Sequence, residues 1–285
     1  MPKTEKRYLI DRLINENWFE TEKEALPWII SGKVLVNNRQ IFSGKEKVPA
    51  DGIIRVKEYY KKKYVNKGGL KLQGALSDFE INVQDKTALD CGASTGGFTD
   101  CLLQHGAKLV YAVDVGHGEL AGKLLINKNV INMERTNLSD ASLKELSPKP
   151  DIITLDLSYL SLKQGVLICK DILKQDGIII ALIKPIFEVE SPEIRKTGNI
   201  NQREVIKDIL TDLCEYFIKN GFDITGLTNS PVRGNNDTLE YFVCLRFGGS
   251  VPGNINETYL QYLDGIIEKS FALKKFDKNN ISQGD

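Results

Sequence analysis

The sequence predicts a doubly wound α/β fold, Rossmann-like with a seven-stranded sheet, preceded by a small α+β domain. Three observations lead there. From residue 68 onward, short apolar runs alternate with amphipathic stretches. The glycine-rich turn "DCGASTGGFTD" at 90–100 follows directly on the first of those runs. The first 58 residues obey a different order, two helices and then a few strands. Repeated strand–helix alternation implies a mainly parallel sheet covered on both faces, with ligands at the carboxyl ends of its strands.

Residues 6–16 place Leu9 and Leu13, and Ile10 and Ile14, four apart, which makes an amphipathic helix with Arg7 and Arg12 outward. A second helix over about 21–31 opens on Thr21 with Glu24 three residues on, a capping box, and Gly32 ends it. "KVLVNNRQI" reads as two short strands joined at Asn37-Asn38, and Ile53–Val56 as a further one. This domain closes at residue 58. Residues 59–67, where four lysines stand among three tyrosines, form a basic linker. The larger domain, 68–248, has strands expected at about 86–91, 109–114, 129–134, 151–157 and 177–183. Helices fill about 70–79, 95–105, 118–127, 161–174 and 202–220, and late strands at 222–229 and 238–246 finish the sheet, the last inserted beside the fifth. The tail, 249–285, holds one helix at about 256–273 and a polar end.

Net charge is zero over 285 residues, but residues 1–67 carry 15 Lys/Arg against 9 Asp/Glu and the remainder 23 against 29. A basic front end on a neutral chain points to a local polyanion contact. The five cysteines are odd in number and irregularly spaced, and only two histidines exist, so neither a disulfide framework nor a metal site is indicated. The longest apolar run, 177–183, is far short of the roughly 20 residues a membrane span needs. With no secretory-type leader at the first residues, a cytoplasmic location without membrane contact is expected.

The glycine turn limits the ligand. A phosphate-cradling loop needs GxxxxGK and then Ser or Thr, whereas here Gly92 is followed by Gly96-Gly97-Phe98 with no lysine. A dinucleotide fingerprint, GxGxxG, is absent too. S-adenosylmethionine fits better, because it has no phosphate and needs a backbone that passes close beside its methionine part. The turn residues Gly92, Ala93, Ser94, Thr95, Gly96, Gly97 and Phe98 would form that passage. Asp90 would face the amino group. Asp114, with Val115 beside it at the end of the second strand, would take the ribose hydroxyls, and Asn137 the adenine edge.

The acceptor atom is read from what stands at the other strand ends. Cytosine C5 transfer needs a cysteine nucleophile preceded by Pro or Thr, and these cysteines follow Asp, Asp, Ile, Leu and Val. Transfer to an exocyclic base nitrogen usually shows Asn/Asp-Pro-Pro-aromatic, but the fourth strand ends Asp156-Leu157-Ser158-Tyr159. Lysines beside acids remain: Lys71, Asp156, Lys184 and Glu240. A ribose 2′-hydroxyl attacks only after losing its proton, and a lysine accepts one only when burial or a second ammonium lowers its pKa. The two carboxylates would orient the amines, and activity should rise with pH.

"KYVNKGGLKLQGAL", "ALDCGASTGGFTDCLLQHGA", "VYAVDVGHGEL", "ERTN", "DLSYLSL" and "ALIKPIFEV" together resemble the hemolysin-A-like, TlyA-type ribosomal RNA methyltransferases, in order over most of residues 5–247. The resemblance implies a class I methyltransferase domain of the FtsJ type, an N-terminal alpha-L RNA-binding module, and 2′-O-methylation of ribosomal RNA, notably at cytidine. It implies a Lys-Asp-Lys-Glu tetrad that falls on Lys71, Asp156, Lys184 and Glu240. One departure is "NKGG", where "SRGG" would be expected, so Lys67 offers a point charge in place of a planar phosphate clamp. An aromatic-Gly pair found in the linker of some members is missing as well. The hemolysin name raises a second function, lysis of membranes, and a third reading is an RNA-binding protein without catalysis.

RNA or ribosomal subunits are the expected partner. Arg7, Arg12, Lys33, Arg39, Lys61, Lys62, Lys63, Lys67 and Arg233 are the residues expected on its phosphates, setting position without reading bases. A target inside a folded helix would be flipped to reach the donor. "EVESPEIRKTGNINQRE" reads as a loop ordered by substrate.

Overall fold

A computed structural model describes residues 5–16, 18–19, 21–57, 63–158, 160–189, 200, 202–247 and 257–274. Two compact units divide the chain, with the boundary between Lys62 and Lys63.

In the N-terminal unit, β1 (Lys6–Tyr8) leads into α1 (Leu9–Asn15) and α2 (Glu22–Ile30), followed by β2 (Val34–Val36), β3 (Arg39–Gln40), β4 (Lys47–Pro49) and β5 (Ile54–Val56). Thr21 Oγ1 accepts the Glu24 N–H at 3.3 Å, as the capping pattern predicts. Asn37 and Asn38 both take positive φ, +50° and +66°, which turns β2 back onto β3. The first helix starts three residues later than expected. Lys6–Tyr8 are extended because they pair antiparallel with Lys47–Pro49, a strand whose short "KVP" carries no alternation to announce it. Leu9, Leu13, Ala25, Ile29, Val34 and Ile41 fill the core of this unit.

The larger unit begins at Lys63, inside the segment expected to be linker. Tyr64 is buried there, and a Cβ on Gly69 would lie 2.2 Å from its ring, so the tyrosine is seated on the first helix of the unit. The elements are α3 (Gly68–Asp78), β6 (Thr87–Cys91), α4 (Gly97–Gln104), β7 (Leu109–Val113), α5 (Gly122–Leu125), β8 (Val130–Met133), β9 (Ile152–Leu155), α6 (Leu162–Ile172), β10 (Ile178–Ile183), α7 (Pro185–Glu188), α8 (Arg203–Lys219), β11 (Phe222–Asn229), β12 (Tyr241–Phe247) and α9 (Glu257–Ala272). Seven strands form one sheet in the order β11-β12-β10-β9-β6-β7-β8. All neighbours from β10 to β8 run parallel, and β12 lies antiparallel between β10 and β11.

The period-2 pattern of the strands divides the core. Ile179, Ala181 and Ile183 point to one face with Leu155, Leu213 and Phe217, and Ile180 and Leu182 to the other with Leu72, Phe98 and Leu102. This topology fixes where chemistry can occur. Asp156 and Lys184 directly follow the adjacent strands β9 and β10, and Glu240 directly precedes β12, whose Tyr241 pairs with Ile183. Three ionisable residues therefore stand at one end of the sheet.

Candidate active site

The glycine turn joins β6 to α4 and is crowded on the side facing the end of β9. Gly92 has φ +84°, and a Cβ there would lie 2.3 Å from the Asp156 carbonyl oxygen, so no side chain fits between the turn and β9. At Gly97 a Cβ would meet Asn66 Oδ1 at 2.0 Å. Asn66 fills that space for two purposes. Its Oδ1 accepts the Gly68 N–H at 2.6 Å, and its Nδ2 donates to Thr95 Oγ1 at 2.5 Å, tying the start of α3 to the turn. On the other side, Asp114 holds the turn by accepting the Ser94 N–H at 2.7 Å and the Gly116 N–H at 2.7 Å. Glu119 accepts from Ser94 Oγ at 3.0 Å.

Beneath the turn lies a cavity of about 260 Å³ lined by Gly92, Ala93, Ser94, Gly97 and Phe98 together with Asn66, Lys67, Gly68, Lys71, Asp156 and Asn235. Two ion pairs flank it. Lys71 Nζ is 2.5 Å from Glu240 Oε2, with both side chains nearly inaccessible at 7% and 4% exposure. Lys184 Nζ is 2.5 Å from Asp156 Oδ1 and also donates to Ser158 Oγ at 3.0 Å and the Leu157 carbonyl at 3.3 Å. Lys71 and Asp156 open onto the cavity, one from each pair. The two touching carboxylate oxygens, Asp156 Oδ1 and Glu240 Oε2, are buried and receive no aligned hydrogen bond, so each is held by charge alone. Phe187, half-exposed on α7, places its ring 5.6 Å from Lys184 Nζ.

Several expected contacts are arranged differently. Asp90 does not line the cavity: it is fully buried, accepting from Thr99 Oγ1 at 2.7 Å and Thr154 Oγ1 at 3.0 Å. It cross-links β6, α4 and β9, and burial pushes its carboxyl up to about 6 against the pull of the two hydroxyls. Asn137 spends its Oδ1 on Ser139, accepting from both the N–H at 3.0 Å and Oγ at 2.9 Å, in a local turn outside the cavity lining. Val115 is exposed.

The cations expected on RNA also separate into two groups. Arg7 is exposed, with Glu5 at 3.1 Å, Arg39 is exposed beside Glu46, and Lys33 lies over the Trp28 ring at 5.3 Å. Lys63 is exposed above Tyr64, its Nζ 5.4 Å from the ring centroid, and Lys67 lines the cavity, donating to the Arg233 carbonyl at 3.4 Å. Arg12 and Arg233 correct the reading. Arg12 is buried and donates to the Pro49 carbonyl at 2.7 Å and to Glu16 Oε1 at 2.7 Å, because the chain bends into β1 and turns this face of α1 inward. Arg233 donates to the Leu273 carbonyl at 3.0 Å and the Asp237 carbonyl at 3.2 Å, binding its own chain. Lys61, Lys62 and most of the loop expected to be ordered by substrate lie outside the described residues. In the N-terminal unit an open hollow of about 610 Å³ is lined by Lys6, Arg7, Tyr8 and Lys47, with Asp11 and Glu22 among its acids. Lys6 and Lys47 there were not singled out by the sequence.

The residues present fit a methyl-donating sulfonium. Gly92, Ala93, Ser94 and Gly97 give the cavity a wall of small residues, and Asp156 stands in the same lining as an acid able to face a positive charge. Asn66, Asn235 and Glu119 were missed. Only Asn66 carried a signal, as the first residue of Asn-x-Gly before a helix, the Asx-turn pattern.

Residues 64–247 match the FtsJ-like methyltransferase family. The chain is 36% identical over 228 residues to Hemolysin A of Brachyspira hyodysenteriae, covering 80% of this chain and 94% of that one. It is 30% identical over 234 residues to the 16S/23S rRNA (cytidine-2′-O)-methyltransferase TlyA of Mycobacterium tuberculosis, covering 82% and 87%. A solved structure of a candidate hemolysin from Streptococcus thermophilus superposes with a TM-score of 0.68 at 31% identity, over 94% of this chain and 98% of that one. A methyltransferase sheet, a glycine turn and two lysine–carboxylate pairs at its strand ends thus coincide with sequence similarity along most of the chain, which belongs to the FtsJ-like methyltransferases of the TlyA/hemolysin A family.

Proposed function

We propose that this protein is an S-adenosylmethionine-dependent methyltransferase that modifies a ribose 2′-oxygen of ribosomal RNA, with cytidine as the target nucleoside and the cytoplasm as its compartment. The observation that carries the reading is the pair of lysine–carboxylate contacts, Lys71–Glu240 and Lys184–Asp156, flanking one cavity beneath the glycine turn.

When bound, S-adenosylmethionine supplies an electrophilic methyl group. Gly92, Ala93, Ser94 and Gly97 line the space that receives it, and Asp114 and Glu119 fix Ser94 of that turn. The 2′-hydroxyl would give its proton to Lys184 Nζ, which can take it only as the free amine, as its oxygen takes up the methyl group. Asp156 then neighbours the ammonium so produced, and Lys71, neutralised by Glu240, presents a donor to the same oxygen. Displacement of this kind depends chiefly on alignment, so holding four side chains in fixed pairs is the main service of the site. Phe187 offers an aromatic face beside Lys184 for the flipped base. The exposed cations of the N-terminal unit, with Lys63 and Lys67 of the larger one, meet phosphates.

The family of the relatives and the methyltransferase fold support this reading. Two of the similar proteins carry the hemolysin name; among the described residues of this chain no helix is long and apolar enough to cross a membrane. The test is Lys184→Met. Methyl transfer to ribosomal RNA, followed with a labelled donor, should fall about 10²–10⁴-fold, the range a general base contributes. Cofactor affinity by calorimetry should stay within about threefold, since Lys184 is absent from the cavity lining. Near-normal turnover would remove the lysine-base mechanism.

A further inference from the structure

Arg233 is used inside the protein, and its partners lead to Glu240. α9 packs on α8 through Lys207–Asp264 at 2.7 Å and an Arg203–Glu268 contact, while Leu263, Ile266 and Ile267 enter the main core. The last turn of α9 makes different contacts. Ser270, fully buried, shares a 2.7 Å hydrogen bond with the hydroxyl of Tyr241, itself fully buried and the residue after Glu240. Just beyond, Arg233 Nε donates to the Leu273 carbonyl at 3.0 Å and Nη2 to the Phe271 carbonyl at 3.5 Å. A guanidinium at this place satisfies carbonyls that a helix end leaves unpaired, and it meets the negative end of the helix dipole.

The backbone of the same residue belongs to the site. The Arg233 carbonyl accepts from Lys67 Nζ at 3.4 Å. The adjoining Gly234 is packed so closely on the acid that a Cβ would lie 2.2 Å from Glu240 Oε1. Its N–H donates to the Thr238 carbonyl at 2.8 Å, which closes the segment into a tight loop, and Asn235 within it lines the cavity. Glu240 is thus backed by a loop whose Arg233 side chain grips the end of α9.

We infer that Arg233 is a positioning residue: by anchoring loop 233–239 to the carbonyl end of α9, it holds the Glu240 carboxylate against Lys71. The inference rests on the catalytic reading of the four charged residues. A guanidinium is required because three carbonyls at different directions are bonded, those of Leu273, Phe271 and Asp237. A lysine at this position could satisfy one or two of them.

The experiment compares full-length Arg233→Met, Arg233→Lys and Glu240→Gln, and the double variant Arg233→Met/Glu240→Gln, in ribosomal RNA methylation. Arg233→Met should lower kcat about 30-fold, the scale of a sub-ångström misplacement, with KM for RNA and cofactor Kd within about twofold. Arg233→Lys should recover only in part, to a kcat about three- to fivefold below the parent. The double variant should be no slower than Glu240→Gln alone, since an effect exerted through Glu240 vanishes once Glu240 is changed. Unchanged kcat in Arg233→Met, or losses that multiply in the double variant, would overturn the inference. A rise in KM for RNA with kcat intact would return Arg233 to an RNA contact. Should Arg233→Met not fold, Arg233→Lys alone and on the Glu240→Gln background decides, and parental kcat in Arg233→Lys overturns the inference. Full turnover in Glu240→Gln would instead sink the catalytic reading itself, whatever Arg233 does.

Discussion

Replacing Lys71 by methionine removes one charge from a contact in which neither side chain exceeds 7% exposure and the ions are 2.5 Å apart. Removing one member of a buried pair strands the other in a poorly solvating interior, at about 3–5 kcal/mol. Lys71 borders the cavity, so water gains some access to the orphaned Glu240 and the lower figure, about 3 kcal/mol, applies. For a unit of this size that loss lowers Tm by about 6–12 °C. Lys71→Met/Glu240→Leu replaces both ions by apolar groups of similar volume and should return to within about 1 kcal/mol of the parent, a coupling of several kcal/mol in the cycle. The assay is urea unfolding followed by far-UV circular dichroism. An internal control is built in: both tryptophans, Trp18 and Trp28, lie in the N-terminal unit, so their fluorescence transition should not move. A loss below about 1 kcal/mol in Lys71→Met, or a double variant as unstable as the two singles added, would refute the idea that these ions neutralise each other away from water.

Two further outcomes are expected. Asp90 has its carboxyl raised from 3.8 to about 6, so the folded chain holds a proton there that the unfolded chain has already released. Stability therefore falls as pH rises between those values, and the difference between parent and Asp90→Asn should shift by about 2 kcal/mol against the parent from pH 4 to pH 7.5; a flat difference in chemical unfolding would show that burial does not perturb this acid. Removing residues 1–58 should leave cofactor Kd within about twofold while weakening RNA binding and flattening its dependence on salt, because fewer counterions are released. An unchanged slope of log K against log salt would refute the anchoring role.

Much of the fold could be read before any coordinates. The strands are short apolar runs with clear punctuation, and β6 to β12 fall within a few residues of expectation, the inner ones because burial on both faces leaves little choice of residue type. The placement of Asp156, Lys184 and Glu240 at one end of the sheet follows from topology, since an ionisable residue at the edge of an apolar strand has few places to go, whereas Lys71 reaches Glu240 from helix α3. Orientation was another matter. Asp90 and Asp114 look alike in sequence, each an acid at a strand end, yet one is enclosed by threonines from α4 and β9 and the other holds N–H groups of two turns. That difference is set by neighbours far away in the chain. Arg12 and Arg233 were misread for the same reason: their acceptors, the Pro49 and Leu273 carbonyls, lie 37 and 40 positions off. Strand β4 escaped notice because three residues are too few for a period to show.

The antiparallel wedge of β12 between β10 and β11 imposes a schedule on synthesis. A ribosome releases Ile178–Ile183 first, Phe222–Asn229 next and Tyr241–Phe247 after both, although the last of these is the only strand through which the second joins the sheet. Until it emerges, the nascent polypeptide keeps a bare, isoleucine-rich border and a loose hairpin arm, the kind of surface that chaperones cover. Lys71, made long before, waits all that while for its counter-charge. A message cut short before codon 240 would yield a product with five strands of the sheet paired and Lys71 without its carboxylate.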